Sequence, residues 1–131
     1  MATPPLARHL QHGAAAESLA CQHLEMRGLR PLLRNFRCRY GELDLVMRDG
    51  AVLVVVEVRS RRRTNVTTPA GTVTAAKQRR IVGATRYLLV RFRQYAGLPV
   101  RFDVVEVRGE IAAPDLRWYR AAFTADGMAG L

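Results

Sequence analysis

Apolar positions along the chain repeat with two different periods. From Gly13 to Arg27 the run GAAAESLACQHLEMR predicts a helix, closed by Gly28 at the position of a C-terminal cap. Its apolar stripe has two readings. One aligns Glu17 with Ala20, Cys21 and Leu24; the other turns Ala16, Leu19 and Ala20 inward and leaves Glu17 at the border. Leu32 to Arg39 is a weak strand candidate. From Gly41 the period changes to that of a strand, and Asp49-Gly50 is a strong hairpin turn signal because both positions tolerate positive φ. A tight loop there pairs Arg48 with Ala51, Val46 with Leu53, Asp44 with Val55 and Glu42 with Glu57. Alternation then puts Leu43, Leu45, Met47, Val52, Val54, Val56 and Val58 on one face, which is all apolar. The other face carries Glu42, Asp44, Glu57 and Arg59 beside Val46, Leu53 and Val55.

The polar segment Arg59–Val73 contains Pro69 and Gly71 and predicts a mobile loop. Thr74 is placed to cap a helix running to about Phe92, with Ile81, Ala84, Thr85, Leu88 and Phe92 on its inner stripe. Arg79, Arg80, Arg86 and Arg91 fall outside that stripe. Gly97-Leu98-Pro99 marks a turn, and Val100–Val107 and Leu116–Phe123 read as further strands. Residues 1–12 and 124–131 are expected to be flexible ends. The order is helix, two or three strands, helix, two strands, without repeats or linkers. It predicts one α/β domain over residues 1–131, with a mixed central β-sheet flanked by helices.

Composition adds one pointer. Lys+Arg 21 against Asp+Glu 11 gives a net charge of +10 and a pI near 11.1. That excess favours a polyanionic partner, nucleic acid before an anionic membrane surface. No apolar run approaches the ~20 residues of a membrane span. The opening MATPPLARHLQHG has no apolar signal core, so a cytoplasmic protein with no membrane partner is expected. Cys21 and Cys38 are too few and too far apart for a disulfide framework or a zinc knuckle. His9, His12 and His23 have no carboxylate or thiol at ligand spacing and read as surface residues. Trp118, Tyr119 and Phe123 fit strand packing better than base stacking. Lys77 is the only lysine among the 21 basic residues, so an arginine here can stand where relatives carry lysine.

The acids in the hairpin are the candidate chemistry. Acidic residues are depleted in strands, and like charges opposed across a sheet destabilise it. Two explanations stand side by side. The acids pair with Arg39, Arg48, Arg59 or Arg61 on a solvated face, or Asp44 and Glu57 hold a divalent cation, Mg²⁺ or Mn²⁺, whose shell waters and substrate phosphates complete. Glu57-Val58-Arg59 favours the cation, because a metal ligand and a charge-stabilising base then point at one phosphate. Arg61, Arg62 and Arg63 behind it, with Arg79 and Arg80 on the following helix, are the expected phosphate contacts.

Asp44 followed by Glu57-Val58-Arg59 resembles the D…(D/E)-x-K core of the PD-(D/E)xK restriction-endonuclease-like superfamily, which includes Holliday junction resolvases. The ordered stretches GAAAESLA, RNFRCRYGELDLV, LVVVEVRSR, VTAAKQRRI and RFDVVEV resemble more closely the YraN-like family of small bacterial proteins. The resemblance implies a restriction-endonuclease-like fold with Glu17 as the acid of the first helix and Asp44 and Glu57 as metal-binding acids. It puts Arg59 in the position of the usual lysine and Lys77 as a further basic residue after the sheet. Glu42 and Asp103 also match the family pattern, Asp103 in a structural role beside Arg101. Arginine stays charged and can stabilise a transition state but not accept a proton. The expectation is therefore a nucleic-acid-binding protein, more on DNA than RNA, with a Mg²⁺-dependent endonuclease site for structured or branched substrates. The alternative is a non-catalytic module that binds nucleic acid or protein on the same fold.

Overall fold

A strand that is apolar at every position from Leu53 to Val56 needs cover on both faces, and the fold supplies a helix for each. A computed structural model describes the backbone of residues 5–61 and 71–125, with side chains from residue 13 onward. The elements are α1 (Pro5–Glu25), β1 (Arg30–Cys38), β2 (Gly41–Asp49), β3 (Val52–Arg61), α2 (Ala75–Arg91), β4 (Val100–Arg108) and β5 (Asp115–Phe123). The five strands form one sheet in the order β1-β2-β3-β4-β5. Only β3 and β4 are parallel, as their connection through α2 requires. The result is the α/β fold with a mixed central sheet that the element order predicts.

Alternation along β2 and β3 divides the core. Leu45, Met47, Val54 and Val56 pack with Ala16, Ala20 and Leu24 of α1, while Val46, Leu53 and Val55 pack with Ile81, Ala84 and Leu88 of α2. The buried positions of α1 combine the two readings of its stripe: Ala16, Ala20 and Leu24 are buried, with Glu17, Leu19 and Cys21 half-buried beside them. Leu43 departs from the predicted face. It joins the α2 cluster, beyond the point where β2 remains paired with β3. Thr74 caps α2 by accepting the Lys77 backbone N–H at 3.2 Å, and Phe92 closes the helix as its C-cap.

The hairpin register differs from expectation by two residues. Asp49 pairs with Val52, Val46 with Val55 and Leu45 with Val56, so the loop is Gly50-Ala51 rather than Asp49-Gly50. Gly50 has φ 59° while Ala51 is not in the positive-φ region, which is the pattern of a turn with glycine at its first central position. A slip of two preserves the faces. It changes the partners, because continuing the ladder one step brings Asp44, not Glu42, across from Glu57.

Strand β3 extends through Arg61, so the first residues of the predicted loop are sheet. Residues 62–70, including Arg62 and Arg63, lie outside the described residues, as do 1–4 and 126–131. Of the expected flexible ends only 1–4 and 126–131 fall there; residues 5–12 are instead the first turns of α1, which begins at Pro5 rather than near Gly13.

The far side of the sheet is held by two buried carboxylates on β4. Asp103 is fully buried and accepts from Arg101 Nε at 2.9 Å, Arg101 Nη2 at 3.1 Å, Trp118 Nε1 at 2.9 Å and the Ala121 amide at 2.9 Å. The Ala121 amide is available because the β4–β5 register shifts between Phe102 and Val104, and Ala121 itself takes φ 49°. Asp103 thus has the structural role expected beside Arg101. Glu106, equally buried, holds Arg108 Nη2 at 2.8 Å, Arg61 Nη1 at 3.3 Å and the Gly71 amide at 2.9 Å. Trp118 and Phe123 serve packing, Phe123 stacked on Phe102 with centroids 4.9 Å apart.

Candidate active site

The site forms where β2 and β3 stop pairing. Past Leu45 and Val56 the ladder ends, and the Asp44 side chain takes over: its Oδ2 accepts the Val58 backbone N–H at 2.9 Å. This fixes the Asp44 carboxylate against β3, next to Glu57. The Glu57 side chain is only 10% exposed, and its Oε2 is buried with no hydrogen-bond partner. Lys77, in the first turn of α2, brings its ammonium to 3.6 Å from that oxygen, at the range of an ion pair but outside hydrogen-bond distance.

Burial, the hydrogen bond with Asp44 and the Asp44 charge push the Glu57 carboxyl up to about 9, with Lys77 opposing them. Near neutral pH the proton therefore stays on Glu57, the ordinary outcome for two carboxyls sharing a small space. Glu17 on α1 is raised too, first by burial and then by the Asp44 charge, while a hydrogen bond from Asn35 and the Arg34 guanidinium at 3.6 Å work the other way. Asn35 adopts φ 55°, a left-handed conformation that asparagine tolerates. The acids make a string from α1 through β2 to β3 rather than a cage. Among the described residues no three His, Cys, Asp or Glu side chains are arranged to hold a metal ion.

A pocket of about 350 Å³ opens beside Glu57, lined by Glu57, Val58, Arg59, Thr72, Val73, Thr74, Lys77 and Arg80. Arg59 Nη1 donates to the Thr72 carbonyl, which ties the end of β3 to the approach of α2. Arg80 is exposed at the rim, and Arg79 is exposed on the same helix. Asp44, Glu57, Arg59, Lys77 and Arg80 are therefore brought together, with Glu17 at the back of Asp44.

Two expectations need correction. Glu42 does not oppose Glu57: it is the cross-strand partner of Arg37 on β1, with Nε–Oε1 at 3.4 Å. Arg61 does not join an exposed arginine patch. It is only 9% exposed and ion-paired to Glu106, because alternation at the end of β3 turns it inward to a buried acid. Two further arginines expected as partners of the site acids are engaged outside the site. Arg48 donates to the Gly50 carbonyl at 2.9 Å and Arg39 to the Tyr40 hydroxyl at 2.6 Å. Sequence reasoning did not single out Asn35 or Thr72, and only a three-dimensional register reveals them.

The mixed sheet with one helix on each face, and acids and bases gathered at its split strand pair, defines a restriction-endonuclease-like α/β protein. Residues 16–107 match the Uncharacterised protein family UPF0102. A UPF0102 protein of Xanthomonas campestris is 48% identical over 122 residues, 93% of this chain and 98% of that protein. Those of Nitrosococcus oceani and Legionella pneumophila are 42% and 37% identical, over 92% and 88% of this chain and 97% and 96% of theirs. The chain belongs to this family.

Proposed function

We propose that this pocket binds the phosphodiester backbone of nucleic acid, DNA in preference to RNA, and hydrolyses it with Mg²⁺ or Mn²⁺. The observation that carries the reading is the buried, unpartnered Oε2 of Glu57 beside Asp44, on the wall of a pocket that also presents Arg59, Lys77 and Arg80. An all-oxygen donor set of two carboxyls suits a hard divalent cation, with water and phosphate oxygens completing its shell. Asp44 and Glu57 would hold it, and it would supply Lewis-acid chemistry and an activated water.

The chain's own groups take the remaining tasks. Arg80 and Arg79 draw the phosphate chain towards the rim. Lys77 lowers the cost of ionising Glu57 and offers charge to the scissile phosphate. Arg59, held by the Thr72 carbonyl, supplies fixed positive charge where negative charge accumulates in the transition state. Asp44 is oriented by the Val58 amide, so its carboxylate is held in place before substrate arrives.

A panel of linear, branched and single-stranded substrates incubated with Mg²⁺ or Mn²⁺ tests the reading against Asp44→Asn, which keeps an acceptor for the Val58 amide. Cleavage by the parent that disappears in the variant supports it. A specific feature favours the alternative, a non-catalytic binding module: arginine in place of lysine at position 59 cannot act as a proton acceptor. Binding that falls steeply with salt, without cleavage of any substrate, would establish that module instead.

A further inference from the structure

A second cluster adjoins the pocket. Tyr40, in the turn between β1 and β2, and Tyr87 on α2 are 43% and 41% exposed, with ring centroids 6.2 Å apart at 51°. Single exposed aromatic residues are ordinary, but this pair is held in place. Tyr40 lies on α2 at Gly83, where an added Cβ would come within 3.3 Å of the Tyr40 Cβ. Gly41 beside it sits against Arg80, with an added Cβ 3.2 Å from the Arg80 carbonyl oxygen. Tyr87 rests in turn on Phe36, centroids 6.1 Å apart. Two rings are thereby presented to solvent by rigid elements, at little further cost in side-chain entropy on binding.

The cations beside the rings decide the kind of ligand. The Arg39 guanidinium lies over the Tyr40 ring at 4.8 Å, and Arg80 borders both this cluster and the pocket of Glu57 and Lys77. An apolar peptide seated here would desolvate these guanidiniums without neutralising them. A nucleic-acid strand satisfies both features, its bases stacking on aromatic or guanidinium planes and its phosphates meeting the cations. A duplex keeps its base faces stacked on one another, so the ligand is a strand with unpaired bases.

We propose that Tyr40 and Tyr87 form a stacking platform for the unpaired bases of a single strand, whose phosphates pass Arg80 on the way to the pocket. This rests on the phosphodiester reading of that pocket and narrows its substrate to nucleic acid with single-stranded character.

Fluorescence anisotropy of the full chain in metal-free buffer, at one salt concentration, tests it with two labelled probes. One is an oligodeoxyadenylate; the other is an abasic strand of equal length and charge. The parent should bind the strand with bases at least about fivefold more tightly, the scale of one base–aromatic stack. Tyr40→Ala and Tyr87→Ala should each remove much of that preference and leave abasic binding unchanged, whereas Tyr87→Phe and Tyr87→Trp should keep it. Equal binding of both probes by the parent overturns the platform while leaving phosphate binding intact, and it needs no variant to fold. Equal loss on both probes in the alanine variants overturns it as well. Failure of the parent to bind either strand removes the platform and the nucleic-acid reading together.

Discussion

The Lys77 ammonium stands 3.6 Å from Glu57 Oε2, and that oxygen has no hydrogen bond of its own. The two lie within ion-pair range, but the buried oxygen is left without a hydrogen bond while the half-exposed ammonium still reaches water. Such a gap is costly in a folded core and useful in a site that a cation or a phosphate is to enter. Four measurements follow from this geometry and its neighbours.

Stability should fall as pH rises. Glu57 is pushed up to about 9, far above its value in an unfolded chain. Between those two values the unfolded state releases a proton that the folded state retains, so ionisation favours unfolding across the window. Thermal melts in EDTA from about pH 5 to about pH 9 should show a declining midpoint on this account. Glu57→Gln should flatten the decline and raise the midpoint at the alkaline end. An identical slope in the variant would remove Glu57 as its source.

A divalent ion should raise the melting temperature, because it binds the folded site and displaces the shared proton. The shift should grow with pH as proton competition weakens, and should vanish in Asp44→Asn. Asp44→Ala is the less informative variant, since it also strands the Val58 amide at a cost of about 1–3 kcal/mol. Equal shifts in parent and Asp44→Asn would show that the ion binds elsewhere.

Arg59 and Lys77 should separate by the conservative swap. If charge alone is needed at position 59, Arg59→Lys leaves cleavage equal or higher, and Arg59→Ala lowers it ~10²-fold or more. Lys77→Arg should cost more activity than Arg59→Lys, because a bulky fork is a poor substitute beside the confined Glu57 oxygen. Initial rates and strand affinity measured on one substrate distinguish loss of chemistry from loss of binding.

Asp103 should matter for stability and not for the pocket. Asp103→Ala removes a buried carboxylate from the Arg101 fork, the Trp118 indole and the Ala121 amide, with an expected loss of about 3–5 kcal/mol. Urea denaturation would register it. Glu106 adds an acid limb to the same behaviour. Burial raises it, but the Gly71 amide and the Arg108 and Arg61 guanidiniums leave it below the ordinary carboxylate range. Its contribution is present at neutral pH and is lost as pH drops through that lowered value.

Much of this was legible in the residues. Thr74 with the Ile81, Ala84, Thr85 and Leu88 spacing defines α2 to within a residue, because cap chemistry and period agree. The β2 and β3 faces follow from alternation, apart from Leu43. The register escaped because Asp-Gly is the stronger local signal, and only tertiary pairing selected Gly50-Ala51. Arg61 escaped because an arginine run reads as solvated until Glu106, far along the chain, is known to lie beneath it. Tyr40 carries no periodic signal at all. Its seat on α2 depends on Gly83, with which it shares no spacing rule.

One carboxylate has a consequence for how this chain can vary. Glu106 holds Arg61 at 3.3 Å and the Gly71 amide at 2.9 Å, so both ends of the stretch 62–70 are fastened to a single side chain. Gly71 has no room for a side chain there, since an added Cβ would lie 2.7 Å from the Tyr119 ring. One substitution at position 106 would therefore release the end of β3 and the approach to α2 together. Through Gly71 the clasp fixes the backbone next to Thr72, a residue of the pocket wall.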